Sequence, residues 1–186
     1  MPIIPAPKLR AVIQALYRDC AGLLECRALP SKARVFVPLD DLRSLGAFCD
    51  AHPHDNLYWG VSTRKDDTGG TLENCQHLAA LFLDADFKVT PEPHVRQRLA
   101  AFPLRPSLEI HSGGGLHLYW FLKEPIDLQV PDERETARTL LRRLALHFES
   151  DLASAEAAHV LRIPGSLNFK PCYPEPRRVT VQEFTP

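Results

Sequence analysis

The sequence predicts an α+β fold built on a largely antiparallel sheet, and three observations predict it. Short apolar runs with strand alternation are interspersed with amphipathic helical stretches along the whole chain. Two of those runs, SLEIH and LHLYWFL, are separated only by SGGG, a connection short enough for a hairpin and too short for a parallel crossover. No internal repeat or low-complexity segment interrupts the pattern, so 186 residues, 45% of them apolar and 24% charged, read as one domain with its own core.

The elements follow in order. KLRAVIQALYRDC places Leu9, Val12, Ile13, Leu16 and Tyr17 at helical spacing. ARVFVPL is a short strand, and DDLRSLGAFCDAHP a helix capped near Asp40 and stopped by Pro53. NLYWGVST is a strand, followed by the polar loop RKDDTGGTLENCQ with its Gly-Gly turn. LAALFLDADFK is an apolar strand carrying two acids, and PEPHVRQRLAAF a short helix with Val95, Leu99 and Phe102 on one face. After the hairpin, DERETARTLLRRLALHF is a helix with acids in its first turn and Ala137, Leu140, Leu141, Leu144 and Phe148 inward. LRIPGSLNFK centres on a turn and RRVTVQEF is a closing strand.

Bulk properties narrow the function. The net charge of −1 argues against a protein that coats nucleic acid non-specifically, and requires local basic patches if nucleic acid is a partner. No apolar run reaches the roughly 18 residues of a membrane span, and MPIIPAPKLR lacks the pattern of a signal peptide. Five cysteines, none spaced CxxC, read as reduced thiols in a cytoplasmic protein. The cluster Cys49, His52 and His54 lacks paired-ligand spacing and reads as a helix-end thiol beside a polar turn.

Three segments carry chemistry. In LFLDADF, alternation puts Phe82, Asp84 and Asp86 on one face and Leu81, Leu83, Ala85 and Phe87 on a core face. The two carboxylates then stand on the open face with Cα atoms roughly 6.5 Å apart. Such a pair repels unless a cation lies between, and oxygen-only ligands suit Mg²⁺ or Mn²⁺; alone, it equally fits an edge strand ending in solvent. In SGGGLHLYWFL, His117, Tyr119 and Phe121 face one side and Leu116, Leu118, Trp120 and Leu122 the other. If the two strands are neighbours, that puts His117 on the acid-bearing side, while the glycines either form a turn or bare the backbone to a phosphate. In LRIPGSLNFK, Pro164-Gly165 fits a type II turn bracketed by Arg162, Asn168 and Lys170, which in isolation reads first as an ordinary turn with solvated cations and otherwise as a cradle for a triphosphate.

Taken together these segments resemble the archaeo-eukaryotic primase superfamily, and more closely the primase-polymerases of plasmids, phages and other mobile elements. LFLDAD resembles its hhhDhD strand, Gly115-Leu116-His117 its small-x-His strand, and Arg162 to Lys170 the R-[LVI]-P-G-[ST]-x-N-x-K segment throughout. The resemblance runs from about Ala33 onward. It implies a single catalytic domain over 1–186, with an N-terminal α/β layer over about 1–75 and an RRM-like palm flanked by helices over about 76–186.

The resemblance also implies roles. Asp84, Asp86 and Asp151, with Glu156 as the alternative third acid, would hold two Mg²⁺ or Mn²⁺ ions. His117, Ser112, the backbone of Gly113, Gly114 and Gly115, and Arg162, Asn168 and Lys170 would hold the nucleotide. Gly115 stands where the superfamily often has Ser, so a hydroxyl contact is either missing or supplied by Ser112. The implied activity is nucleotidyl transfer from nucleoside triphosphates on a single-stranded DNA template, with a helicase module or partner replication protein as companion and no membrane.

Template contacts are expected from Arg64, Lys65, Lys88, Arg177 and Arg178, whereas Arg138, Arg142 and Arg143 read as a solvated helix face. Two other classes compete. One is a non-catalytic RRM-like module binding single strands through Tyr119 and Phe121, which lack the RNP1 pattern. The other is a replication-initiating nickase, for which HLY supplies only one of two required histidines.

Overall fold

The apolar alternation read above folds into two four-stranded antiparallel sheets with helices outside them, in a computed structural model that describes residues 6–186. Helix α1 (Ala6–Leu16) is followed by strands β1 (Leu23–Leu29) and β2 (Ala33–Pro38), helix α2 (Leu42–Ala51) and strand β3 (Asn56–Gly60). Strand β4 (His77–Asp86), helix α3 (Glu92–Ala101), strands β5 (Leu108–His111) and β6 (Gly115–Asp127) and helix α4 (Pro131–His147) come next. The chain ends with β7 (Val160–Arg162), β8 (Leu167–Asn168), β9 (Arg177–Arg178) and β10 (Thr180–Phe184).

The first sheet has the order β2-β1-β3-β7, the second β10-β5-β6-β4, and β8 and β9 form a small ribbon. Every pairing is antiparallel. The first sheet lies within the N-terminal stretch except for β7, which returns from the far end of the chain to close its edge. RRVTVQEF, read as one strand, splits at Val179: Arg177–Arg178 pair with β8, and β10 adds to β5. Strand β1, LLECRAL, escaped the sequence reading because its acid and its arginine break the apolar alternation. The cap of α2 is Asp41 rather than Asp40, its carboxylate accepting the Ser44 N–H at 3.0 Å.

The core explains why both faces of the second sheet are apolar. One face meets the helices: Trp120 packs with Phe102 and Phe148, ring centroids 5.6 and 6.0 Å away, and Val95, Leu141 and Leu144 are buried there with them. The other face, expected to be open, meets the first sheet instead. Phe82, His117 and Tyr119 are all buried, and Tyr119 Oη accepts a hydrogen bond from Trp59 Nε1 of β3 at 3.2 Å. A sheet wetted on one side would leave Tyr119 free to stack on a base; here the ring is fully enclosed, and burial pushes its hydroxyl pKa up. Phe121 packs edge-on against Phe184. The surface that a single-strand-binding module would need from these two aromatics is therefore used for packing.

Among the described residues no helix is long and apolar enough to cross a membrane.

Candidate active site

The carboxylates, the histidine and the cation segment converge on one cavity of about 280 Å³ at the seam between the two sheets. Its position follows from register. Asp84 lies directly opposite His117 and Asp86 opposite Gly115, so in an antiparallel pair the side chains of Asp84 and His117 emerge together. His117 Nε2 lies 3.6 Å from Asp84 Oδ1. On the other strand edge, β7 pairs with β3 so that Arg162 lies opposite Tyr58, and the guanidinium rests over the Tyr58 ring at 4.9 Å.

Arg162 is 5% exposed and forms no ion pair among the described residues. Its Nη1 donates to Asn56 Oδ1 at 2.5 Å, and the same oxygen accepts the Phe169 N–H at 2.8 Å. One amide thus ties both arms of the turn. The turn itself is as read from sequence: Ser166 N–H donates to Ile163 C=O, and Gly165 adopts φ +90°. Asn168, 1% exposed, does not line the cavity. It donates to Ser112 C=O at 2.9 Å and accepts the Lys170 N–H at 3.0 Å, so it fastens the cation segment to the glycine turn. Lys170 reaches the cavity and pairs with Asp86 Oδ2 at 2.9 Å.

Electrostatics favour two ionised acids. Burial works against ionising Asp84, but His159, His117 and Lys170 outweigh it and hold its carboxyl below the usual value. For Asp86 the same opposition from burial is overcome by the Lys88 backbone N–H and by Lys170. Burial also lowers the pKa of Arg162. His117 is pushed down to about 4 by burial, against the attraction of Asp84, and its Nδ1 is a buried atom with no hydrogen-bond partner.

That histidine gives stability a defined pH dependence. Unfolded, it takes up a proton near pH 6.5; folded, only near 4. Between those values the unfolded state binds more protons, so stability falls as pH falls across that window, by about 3 kcal/mol in all. Urea midpoints measured from pH 7 to pH 4 are expected to show that slope, and His117→Phe to flatten it. An unchanged slope in a folded variant would refute the assignment. The depressed carboxylates add a loss of the same sign at lower pH.

Only part of the glycine run belongs to the cavity. Ser112 and Gly114 line it; Gly113 and Gly115 do not. Gly113 takes φ +84° in the turn, and a side chain on Gly115 would meet Ala85 C=O of β4 at 2.2 Å. Gly115 is therefore required for strand pairing, not for a phosphate. Gly115→Ala is expected to cost about 1–3 kcal/mol, lowering the melting temperature by roughly 2–12 °C in a scanning calorimeter. A Cβ on Gly114 would strike the Tyr173 hydroxyl at 1.9 Å, and Tyr173 is itself stacked under Arg177 at 3.9 Å.

Neither candidate for the third acid reaches the cavity. The Asp151 carboxylate caps the short turn that follows it, accepting the Ala153 N–H at 2.9 Å. Glu156 lines a separate cleft with Arg134 and Arg138. In their place stands His159, which the sequence reading missed: its Nε2 lies 3.7 Å from Asp84 Oδ2, and its ring stacks parallel to Phe82 at 6.1 Å. Strand alternation hides it, since it sits three positions before Arg162, on what an ideal strand would make the opposite face. Its nearness to the Arg162 segment was the one available signal.

The donor set accepts a divalent cation in part. Two ionised carboxylates two residues apart suit Mg²⁺ or Mn²⁺, which commonly take one or two carboxylates and complete their shell with phosphates and water. Among the described residues no three His, Cys, Asp or Glu side chains form a preformed metal cluster. In the Cys49 region, His52 pairs with Asp55 at 3.3 Å, and burial pushes the Cys49 thiol up to about 12.

Of the expected template contacts, Arg64 is withdrawn by its burial. It is fully enclosed, bound to Glu25 at 2.8 Å and to Ala158 C=O at 3.2 Å, and braces the segment that carries His159. Lys65, Lys88, Arg177 and Arg178 are exposed, and Arg138, Arg142 and Arg143 form the solvated face of α4.

The fold is similar to that of solved primase and primase-polymerase catalytic domains. The chain superposes on the primase-polymerase domain of cyanophage S-2L with a TM-score of 0.66 at 19% identity, covering 97% of this chain and 92% of that one. It superposes on the catalytic domain of primase RepB', solved in complex with initiator DNA, with a TM-score of 0.63 at 13% identity, covering 96% and 85%. In sequence it is 28% identical over 107 residues to a replication protein of Clostridium perfringens, matching 53% of this chain and 26% of that protein. The chain thus spans about a quarter of the length of that curated relative. No family model matches the chain.

Proposed function

We propose that the chain is a template-dependent nucleotidyltransferase, a DNA primase or primase-polymerase, that joins nucleotides on single-stranded DNA and releases pyrophosphate. One observation carries the reading: a single cavity holds two ionised carboxylates opposite a buried guanidinium with no acidic partner of its own. A buried cation left unpaired is costly unless an anion arrives to meet it, and a triphosphate is such an anion. The likeness to primase-polymerase domains, one of them bound to initiator DNA, supports DNA as the template.

In the reaction, a 3′-hydroxyl oxygen gives up its proton to solvent water and bonds to the α-phosphorus, while the bond from that phosphorus to the α,β-bridging oxygen breaks and pyrophosphate leaves. Arg162 and Lys170 orient the triphosphate and offset charge on its oxygens. Asn168 and Asn56 hold those cations in place from behind. His117, neutral at ordinary pH, offers hydrogen bonding without adding charge. Asp84 and Asp86 would hold Mg²⁺ or Mn²⁺, which when bound supplies Lewis-acid stabilisation of phosphate charge; two such ions are expected, completed by phosphate oxygens and water.

The test is incubation with single-stranded template, labelled nucleoside triphosphates and Mg²⁺ or Mn²⁺, with and without a primer. Product without primer identifies a primase, product only with primer a polymerase, and no product under either condition overturns the reading.

A further inference from the structure

Both oxygens of Asp86 are already engaged by the protein. Oδ1 accepts the Lys88 N–H at 3.0 Å and Oδ2 accepts Lys170 Nζ at 2.9 Å. Asp84 faces only imidazoles, at 3.6 and 3.7 Å, beyond hydrogen-bond reach. Among the described residues Lys170 is the one ammonium or guanidinium paired with either acid.

A divalent ion placed against Asp86 would lie a few ångströms from that ammonium, and like charges so close repel. The Lys170 side chain is 41% exposed, so its head has room to leave. Its backbone does not: its N–H is held by Asn168 Oδ1, and its C=O accepts the Tyr173 N–H. Any exchange of partner therefore happens by side-chain rotation alone, on a flexible four-carbon stem suited to it. Arg162 lies on the same cavity and marks where a phosphate would compete for the ammonium.

We infer that Lys170 is an exchangeable counter-ion that couples metal binding to nucleotide binding. Without nucleotide it neutralises Asp86 and opposes a divalent ion; a triphosphate draws the ammonium onto its own oxygens and frees Asp86 for the metal. Metal and nucleotide then enter together, and neither carboxylate is loaded in advance. This rests on the nucleotidyl-transfer reading of the cavity and adds to it the order of binding.

The experiment is Mn²⁺ titration of the protein without nucleotide, followed by electron paramagnetic resonance of the free ion. Lys170→Met and Lys170→Gln are expected to bind Mn²⁺ about tenfold more tightly than the unmodified chain, within the usual range of coupling between two sites. Lys170→Arg, which keeps the charge, is expected to stay at the unmodified level. The two neutral variants should also bind a non-hydrolysable nucleoside triphosphate with Mn²⁺ more weakly. Arg162→Met should share that weakening but raise Mn²⁺ affinity by much less than the Lys170 variants, because Arg162 pairs with neither acid. If both neutral variants melt normally yet bind Mn²⁺ no more tightly, the counter-ion role is wrong while the site stands. If Asp84→Ala and Asp86→Ala bind Mn²⁺ as the unmodified chain does, the ion is elsewhere and both the inference and the metal reading fall.

Discussion

Asp84→Asn is expected to reduce primer synthesis or extension by on the order of 10²–10³-fold or more, while the protein still folds. The substitution keeps the shape and removes the charge. What holds this position in the fold is mostly backbone: the β4–β6 ladder runs through it, and Ser150 Oγ donates to its main-chain carbonyl. The carboxylate itself faces the cavity between His117 and His159. Its ionised form contributes some stability, because its pKa is depressed, and that part is lost with the charge. The measurement is product formation on single-stranded template beside a melting curve. Activity close to that of the unmodified chain in a folded Asp84→Asn protein would remove Asp84, and with it this cavity, as the catalytic site.

Arg162→Met has the second-largest expected effect, and function and stability should move apart. Burial depresses the Arg162 pKa, so enclosing this guanidinium costs the fold free energy that an ion pair would ordinarily offset. Its partners are one amide oxygen and one aromatic ring. A methionine of similar length fills the space without the charge, so the melting temperature should hold or rise. Nucleotide affinity should fall about 10- to 100-fold, the value of one or two hydrogen bonds to a charged group. Isothermal titration with a non-hydrolysable nucleoside triphosphate reads the second effect and calorimetry the first. A steep loss of stability with unchanged affinity would make Arg162 a structural residue instead.

Much of this was legible in the chain itself. The hairpin that SGGG allows sets β5 against β6 with Ile110 opposite His117, and alternation gives the face of His117; that Asp84 also lies opposite it required β4 to pair on the far edge of β6. The turn at Pro164-Gly165 was legible because few residues other than Gly accept its φ of +90°. The solvated arginines of α4 were legible because helical periodicity assigns them a face of their own. Contacts between elements distant in sequence were harder to see. Arg64 looks from sequence like any other loop cation, and only the approach of β1 shows that Glu25 encloses it. Asp151 and Glu156 precede the Arg162 segment closely enough to suit the third acid, yet the chain turns both away and presents His159.

The amino-acid sequence by itself determined the class of the fold, the shared strand face of the two aspartates, the strand face that carries His117, and the cation-bearing turn. Those are local properties: periodicity of two along a strand, and the φ a turn demands. The tertiary structure alone decided that this face is closed by a second sheet, so that Tyr119 is core and the cavity survives only at the seam. It also decided which glycine lines the cavity and which faces a neighbouring strand, and that Lys170 already neutralises Asp86. The physical reason is that strand periodicity says which residues share a face, but only the packing of distant segments says what covers it.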